Sequence, residues 1–328
     1  MAALSDQLLV VAILAYLGAM LLWAAENAFG GRGAVARAAT RELVGAGAGA
    51  PASRTNSGDL VVVERPETTN SPQFVRRRAV LGRAAVAVFG LGVAVHLATA
   101  ATRGLAAHRL PWGNMYEFLL SVTLVGAVAW LAVLWRRPAL RHLGLYVAFA
   151  LVLLLGVAGM VVYTEVGPLM PALKSTWFVV HVSAATLASG VFLVGFVVAA
   201  LYLIRTGHEA GKERFPYSLG HRLPDSSALE PLAFRLHAFA FPIWTFAVAA
   251  GAVWAESAWG RYWGWDPKET WSFISWVAYA AYLHARATPS VKRTTATWFA
   301  VAAFGTMLIN LYVINFVAVG LHSYAGVD

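Results

Sequence analysis

Eight apolar stretches, each close to the length of a membrane-crossing helix, set the terms on which this chain can fold. They run roughly over 8–24, 79–100, 115–135, 142–163, 177–204, 237–256, 271–286 and 295–317, the seventh being the shortest. A bilayer core needs about 20 apolar residues per helix. Within it each backbone N–H and C=O must find a partner inside its own segment, which selects helices. The fold expected is therefore all-α, a polytopic membrane protein with about eight transmembrane helices. Composition agrees: 59% of residues are hydrophobic and only 12% charged, far from a soluble domain.

The spacing divides the chain into three parts. Residues 1–24 form an N-terminal transmembrane helix, and 25–78 a cytoplasmic loop rich in Gly, Ala, Ser, Thr and Arg that is expected to be mostly disordered. Residues 79–328 form a seven-helix domain with a tryptophan-rich outer loop at 254–271. An acidic residue, Asp6, precedes the first apolar run and no basic segment does, so that run reads as a retained span, not a cleaved signal peptide. A second cytoplasmic loop is expected at 205–236.

The formal charge of +9 raises the question of nucleic acid, and the position of the basic residues answers it. One set of alternate loops with its flanking span ends holds 20 of the 25 Lys and Arg. The other holds Arg103, Arg109, Lys174, Arg261 and Lys268. That is the positive-inside pattern of a cell-membrane protein among its lipids: both termini and the 254–271 loop face outward, and no nucleic acid is bound. The absence of cysteine excludes disulfides, thiolate metal sites and a Cys nucleophile, so any thiol chemistry comes from a partner.

The outer loop contains WGRYWGWDPKETW, residues 259–271, with four tryptophans and a tyrosine. Asp266, Pro267 and Glu269 have the spacing of an N-cap, a first-turn proline and the N3 acid of a capping box that starts the seventh span. Asn114 to Glu117, after Pro111-Trp112-Gly113, carries a similar signal for the third. A single tryptophan here is an interfacial anchor. Six of the 13 within 23 residues (Trp254, Trp259, Trp263, Trp265, Trp271 and Trp276) form something broader, a flat apolar platform beside a helix N-terminus. With Arg261 and Lys268 nearby, such a platform suits a large planar ligand with anionic groups, and a porphyrin with two propionates meets both requirements.

Depth sorts the nine histidines. His181, one turn inside the fifth span, and His322, just past the eighth, share the outer side with the platform. A lone histidine of this kind is more often a hydrogen-bonded structural residue, whereas the two together can bind a haem iron from opposite faces. His284 lies roughly 20 Å below Trp271 at 1.5 Å per residue, and His96 near the outer end of the second span, too far apart to share one iron. An ionisable side chain within the membrane makes His284 a functional candidate whose partner lies elsewhere. His108, His142, His208, His221 and His237 read as solvated surface residues.

The stretch WGRYWGWDPKETWSFISW resembles the WWD signature of haem-handling membrane proteins. WGNMYEF at 112–118, TWFVVH ending at His181, YLHAR around His284 and GLHSYA around His322 make the chain similar to the CcsA/ResC type of cytochrome c biogenesis protein, named CcsB in some lineages, over residues 79 to the end. The resemblance implies a system II synthase component that moves haem b outward and joins it to the CXXCH segment of apocytochrome c. It implies that His181 and His322 ligate the haem being attached and that His284 ligates haem in transit. It further implies a ResB/CcsB-type membrane partner, which supplies the second transit ligand, and a thiol-reducing partner. Two other readings stand beside it: a CcmC-like module that presents haem to a chaperone without attaching it, and a transporter with Glu165, Glu256 and His284 as a proton relay.

Overall fold

The computed structural model describes residues 1–47, 72–318 and 320–322. Its elements are α1 (Ala2–Gly47), α2 (Pro72–Ala107), α3 (Met115–Arg136), α4 (Gly144–Met160), α5 (Thr176–Glu209), α6 (Ser226–Trp259), α7 (Pro267–Ala287) and α8 (Arg293–Leu308). A π-helical turn, Ile309–Val313, carries α8 on into a short α9 (Ile314–Val317). Each expected span coincides with a helix, the fourth running a few residues past both ends of α4, and the described residues contain no strand. The protein is an all-α polytopic membrane protein. Among the described residues, seven helices are long and apolar enough to cross a membrane on their own. The exception is α7, which packs along α8 and against α6 within the same bundle.

The edges of the expected 25–78 loop are helical. α1 continues about 20 residues past its apolar run to Gly47, through the alanine-rich stretch at 34–39 where helix propensity is high, and α2 begins at Pro72. Residues 48–71 lie outside the described residues.

The helices pair as α1 with α2, α5 with α6 and α7 with α8, and α3 joins α5. Buried aromatic and aliphatic side chains from all these helices form the main core, with Trp23, Phe89, Trp130, Phe192 and Tyr279 among them. Charges collect at the two ends. At one end Arg103 and Arg109 both bind the fully buried Glu117, at 3.1 and 2.6 Å, and the Tyr163 hydroxyl donates to Asp6 at 3.0 Å. At the other, Arg141 pairs with Glu26 at 2.8 Å, Arg205 with Glu209 and Asp225, and Arg286 with Glu230. Alternate loops thus meet at opposite ends of the bundle. The 254–271 loop shares the first end with Glu117.

Among the histidines expected to be solvated, His108 and His221 are exposed, His142 and His208 are half-buried, and one departs fully. His237, expected to be solvated, is fully buried in α6, where its Nδ1–H donates to the Ala233 carbonyl at 2.7 Å. Phe192, Tyr279 and Tyr282 surround its ring. The difference has a simple cause: α6 starts at Ser226, eleven residues before the apolar run, so position 237 lies well inside the helix instead of at its end.

Candidate functional site

At the Glu117 end, a cavity of about 230 Å³ opens between α3, α5, α6 and α8. Its floor is apolar, made by Leu193, Trp244 and Phe304, and its rim carries Trp112, Trp259, Tyr262 and Trp263. A single water needs only about 10–15 Å³ by the same measure, so the space suits a ligand with several rings.

The loop bearing these tryptophans folds as its sequence dictates. α6 ends where Gly260 takes a left-handed φ of 71°, a conformation that glycine adopts without strain, and its N–H returns to the Glu256 carbonyl at 2.8 Å. α7 starts with a complete capping box: Asp266 accepts the Lys268 N–H at 3.0 Å, and Glu269 reaches back to the Asp266 N–H at 3.2 Å. The second oxygen-bearing signal behaves likewise, with the Asn114 side chain accepting the Glu117 N–H at 2.9 Å. Glu117 in turn accepts the Gly113 N–H at 2.8 Å, and so fixes the turn that presents Trp112 to the cavity.

Two imidazoles line this cavity. His181, in α5, donates its Nδ1–H to the Ala247 carbonyl of α6 at 2.8 Å, and its ring lies almost parallel to Trp254, 12° apart. Gly251 makes that placement possible: a Cβ at 251 would stand 2.8 Å from the imidazole Cε1 and Nδ1. His322 donates Nδ1–H to Asp266 Oδ1 at 2.8 Å and sets its ring at steep angles to Trp254 and Trp259, with centroids 5.7 and 4.9 Å away. Trp254 therefore touches both histidines. In each, the Nδ1–H bond assigns the lone pair to Nε2, the form that ligates iron.

Electrostatics favour that form at the rim. Burial pushes the His322 imidazole below its ordinary value, against the opposing influence of Asp266. Burial pushes the Asp266 carboxyl up, but the His322 imidazole and the backbone N–H groups of Leu321 and Lys268 outweigh it and hold the carboxyl at about 2. At neutral pH the pair is a carboxylate and a neutral imidazole.

The other expected site residues divide. Trp259, Trp263 and Lys268 line the cavity with the two histidines, and Asp266 stands directly behind His322. Trp265 does not line it; this side chain is 66% exposed, at a left-handed φ of 57°, and meets Trp263 edge-on. Trp271 and Arg261 are also off the cavity wall, and Arg261 sits 3.9 Å from Glu269. His284 is exposed on the outer surface of α7 near the opposite end. His96 is fully buried, with Nδ1 3.2 Å from the Tyr16 hydroxyl, and takes no part in the cavity. Glu165 and Glu256 are exposed at the rim end, far along the bundle from His284, so the three acid–base groups form no relay. The sequence reading left out Trp112, Phe178, Trp244 and Gly251 as cavity residues; only WGNMYEF carried a local signal, for a helix cap.

Similarity to known proteins follows the same stretch of chain. Residues 112–322 match the family model described as cytochrome C assembly protein. The chain is 34% identical over 239 residues to the cytochrome c biogenesis protein CcsA of Guillardia theta, covering 68% of this chain and 79% of that protein. It is 31% identical over 333 residues to CcsA of Gloeobacter violaceus, covering 78% and 98%. CcsA of Synechococcus elongatus matches at 30% over 289 residues, covering 74% and 87%. With the family model spanning from the Trp112 turn to His322 and relatives at this identity over most of their length, the chain belongs to the cytochrome c assembly protein family.

Proposed function

We propose that this protein is the membrane component of a system II cytochrome c synthase, which carries haem b to the outer face of the cell membrane and positions it for attachment to apocytochrome c. The observation that carries this reading is the pairing of His181 and His322 on one aromatic cavity, with Trp254 against both rings. Haem is the substrate, and two neutral imidazoles with their Nδ1 protons engaged are the ligands that would hold its iron. Lys268 at the rim supplies a cation for a propionate.

Attachment joins each of two thiols of a CXXCH segment to a haem vinyl group. In each addition a C–S bond forms at one vinyl carbon and the thiol hydrogen ends on the other, so no net oxidation occurs. The chain contributes position: axial ligands, an apolar wall, and exclusion of water. Its lack of cysteine suits that role, because both thiols belong to the apocytochrome. The exposed position of His284 supports a transit site shared with a second membrane protein of the ResB/CcsB type, since an imidazole facing hydrocarbon is costly unless covered. The excess of Lys and Arg on the alternate loops supports an outward-facing cavity and outward termini.

Coexpression with a ResB-type partner and a CXXCH reporter tests the reading. Covalent haem on the reporter, retained in a denaturing gel, is expected. Haem delivered to a chaperone with none attached would move the assignment to CcmC-like presentation.

A further inference from the structure

The two imidazoles of the cavity are held in different ways, and this inference rests on the haem-site reading above. His181 is part of a wall. Its backbone lies within α5, its ring lies flat beside Trp254, and Gly251 leaves no space on the α6 side for even one added carbon. His322 stands beyond the end of α9, in a turn. There the Leu321 N–H donates to Asp266 Oδ2 at 2.7 Å and His322 Nδ1–H to Oδ1 at 2.8 Å, while Oδ1 also accepts the Lys268 N–H at the start of α7. A single carboxylate therefore ties the His322 turn to the N-terminus of α7.

We infer that Asp266 is a latch that positions His322 on the haem iron, and that His322, not His181, is the ligand that gives way to the histidine of the incoming CXXCH segment. For a ligand to be exchanged, one imidazole must withdraw and another must enter on the same face. Withdrawing His181 requires turning its ring into Trp254 or Gly251, or displacing α5 from the core. Withdrawing His322 requires the turn to leave Asp266 and its edge contacts with Trp254 and Trp259. The rim beside it is also the accessible part of the cavity, where Tyr262 is 61% exposed. The exchange balances: one neutral imidazole leaves, another neutral imidazole binds, and the iron keeps its oxidation state.

The carboxylate has two opposed effects that together make a gate. While the Nδ1–H···carboxylate bond persists, it strengthens Nε2 as a donor, more than the neutral Ala247 carbonyl does for His181. Once the bond breaks, the same imidazole is a weaker donor and has lost its link to the N-terminus of α7. Release therefore depends on Asp266, and a peptide that competes for this carboxylate would open the face it needs.

The test uses the haem-loaded complex with its membrane partner and a synthetic peptide in which serines replace both cysteines of CXXCH, so that histidine binds and no thioether forms. His322→Met and His181→Met each convert bis-histidine haem to a His/Met spectrum. The peptide is expected to restore the bis-histidine spectrum of His322→Met at a concentration at least about tenfold lower than for His181→Met; the reverse order overturns the inference. If neither substitution alters the starting spectrum, the haem-site reading itself fails, and the inference with it. A second measurement does not depend on methionine ligation. Asp266→Asn keeps a capping side chain for α7, and carbon monoxide binding to the ferrous wild-type complex is limited by histidine dissociation. That rate is expected to rise by about tenfold or more in Asp266→Asn, the scale usual for loss of an outer-shell partner. An unchanged rate rules out the latch.

Discussion

Gly251 and His181 approach so closely that a methyl group at position 251 would stand 2.8 Å from two ring atoms. Gly251→Ala should therefore tilt the imidazole off the iron and lower the ratio of Soret to protein absorbance. Overpacking of this kind costs about 1–3 kcal/mol, too little to prevent a large bundle from folding. Monodisperse elution with reduced haem is the expected pair of results, and unchanged haem content would show that the ring need not stay where it is.

Trp263 and Trp265 are two residues apart and differ in role. Trp263 lines the cavity, whereas Trp265 points outward and is 66% exposed. Trp263→Ala is expected to reduce outer haem occupancy several-fold, and Trp265→Ala to leave it near wild type. Haem content of the two purified variants decides, with equal loss in both counting against the cavity as the binding surface.

The Asp266–His322 pair fixes a pH dependence. The Asp266 carboxyl is held below its ordinary value, so its contribution is complete above about pH 4 and is lost as pH falls toward 2. His322 is also held below its ordinary value, so its neutral, ligating form extends to the acid side of pH 6.5 and declines only as pH drops further. A spectral titration of the ferric complex should keep its bis-histidine form from pH 8 through 6.5. A midpoint at or above 6.5 would contradict the assignment of this imidazole.

Glu117 neutralises two arginines, with its own side chain and that of Arg103 fully buried and that of Arg109 only 13% exposed. Glu117→Ala leaves these charges uncompensated, a change that typically costs about 3–5 kcal/mol. The melting temperature of the detergent-solubilised protein should fall by many degrees. Trp112 should lose its fixed place at the cavity, because the Gly113 N–H bond that orients its turn is lost with the carboxylate.

The His284 side chain is exposed on the surface of α7, near its C-terminal end. His284→Ala is expected to leave the melting temperature unchanged and to remove haem only from the complex with the partner. A stability loss in the isolated chain would mean that the residue is structural.

The apolar runs were legible because period and length alone specify spans, and the caps at Asn114 and Asp266 because capping depends on neighbours within three residues. What joins the site was not. Trp254 was visible as one of a cluster, but its place against both His181 and His322 arises from packing across α5, α6 and the C-terminal turn. Spacing marks Asp266 as a cap beside the ligand platform, but its bond to a residue 56 positions later leaves no trace in spacing. His237 misled for the complementary reason. Hydropathy marks where a helix turns apolar, not where it starts, and α6 had already begun.

α7 was distinguished above only by its modest apolarity, and that property bears on how the protein is made. We expect a segment of this polarity to enter the membrane together with a neighbour, and α8 follows after only the five residues 288–292. The parity of the whole chain depends on this step. If α7 were left out, α8 would cross in the opposite sense or not at all, and His322 would emerge on the wrong side of the membrane from His181. Two ligands placed on opposite faces cannot bind one iron, so haem ligation by both imidazoles would also report that the weakest segment had been correctly inserted.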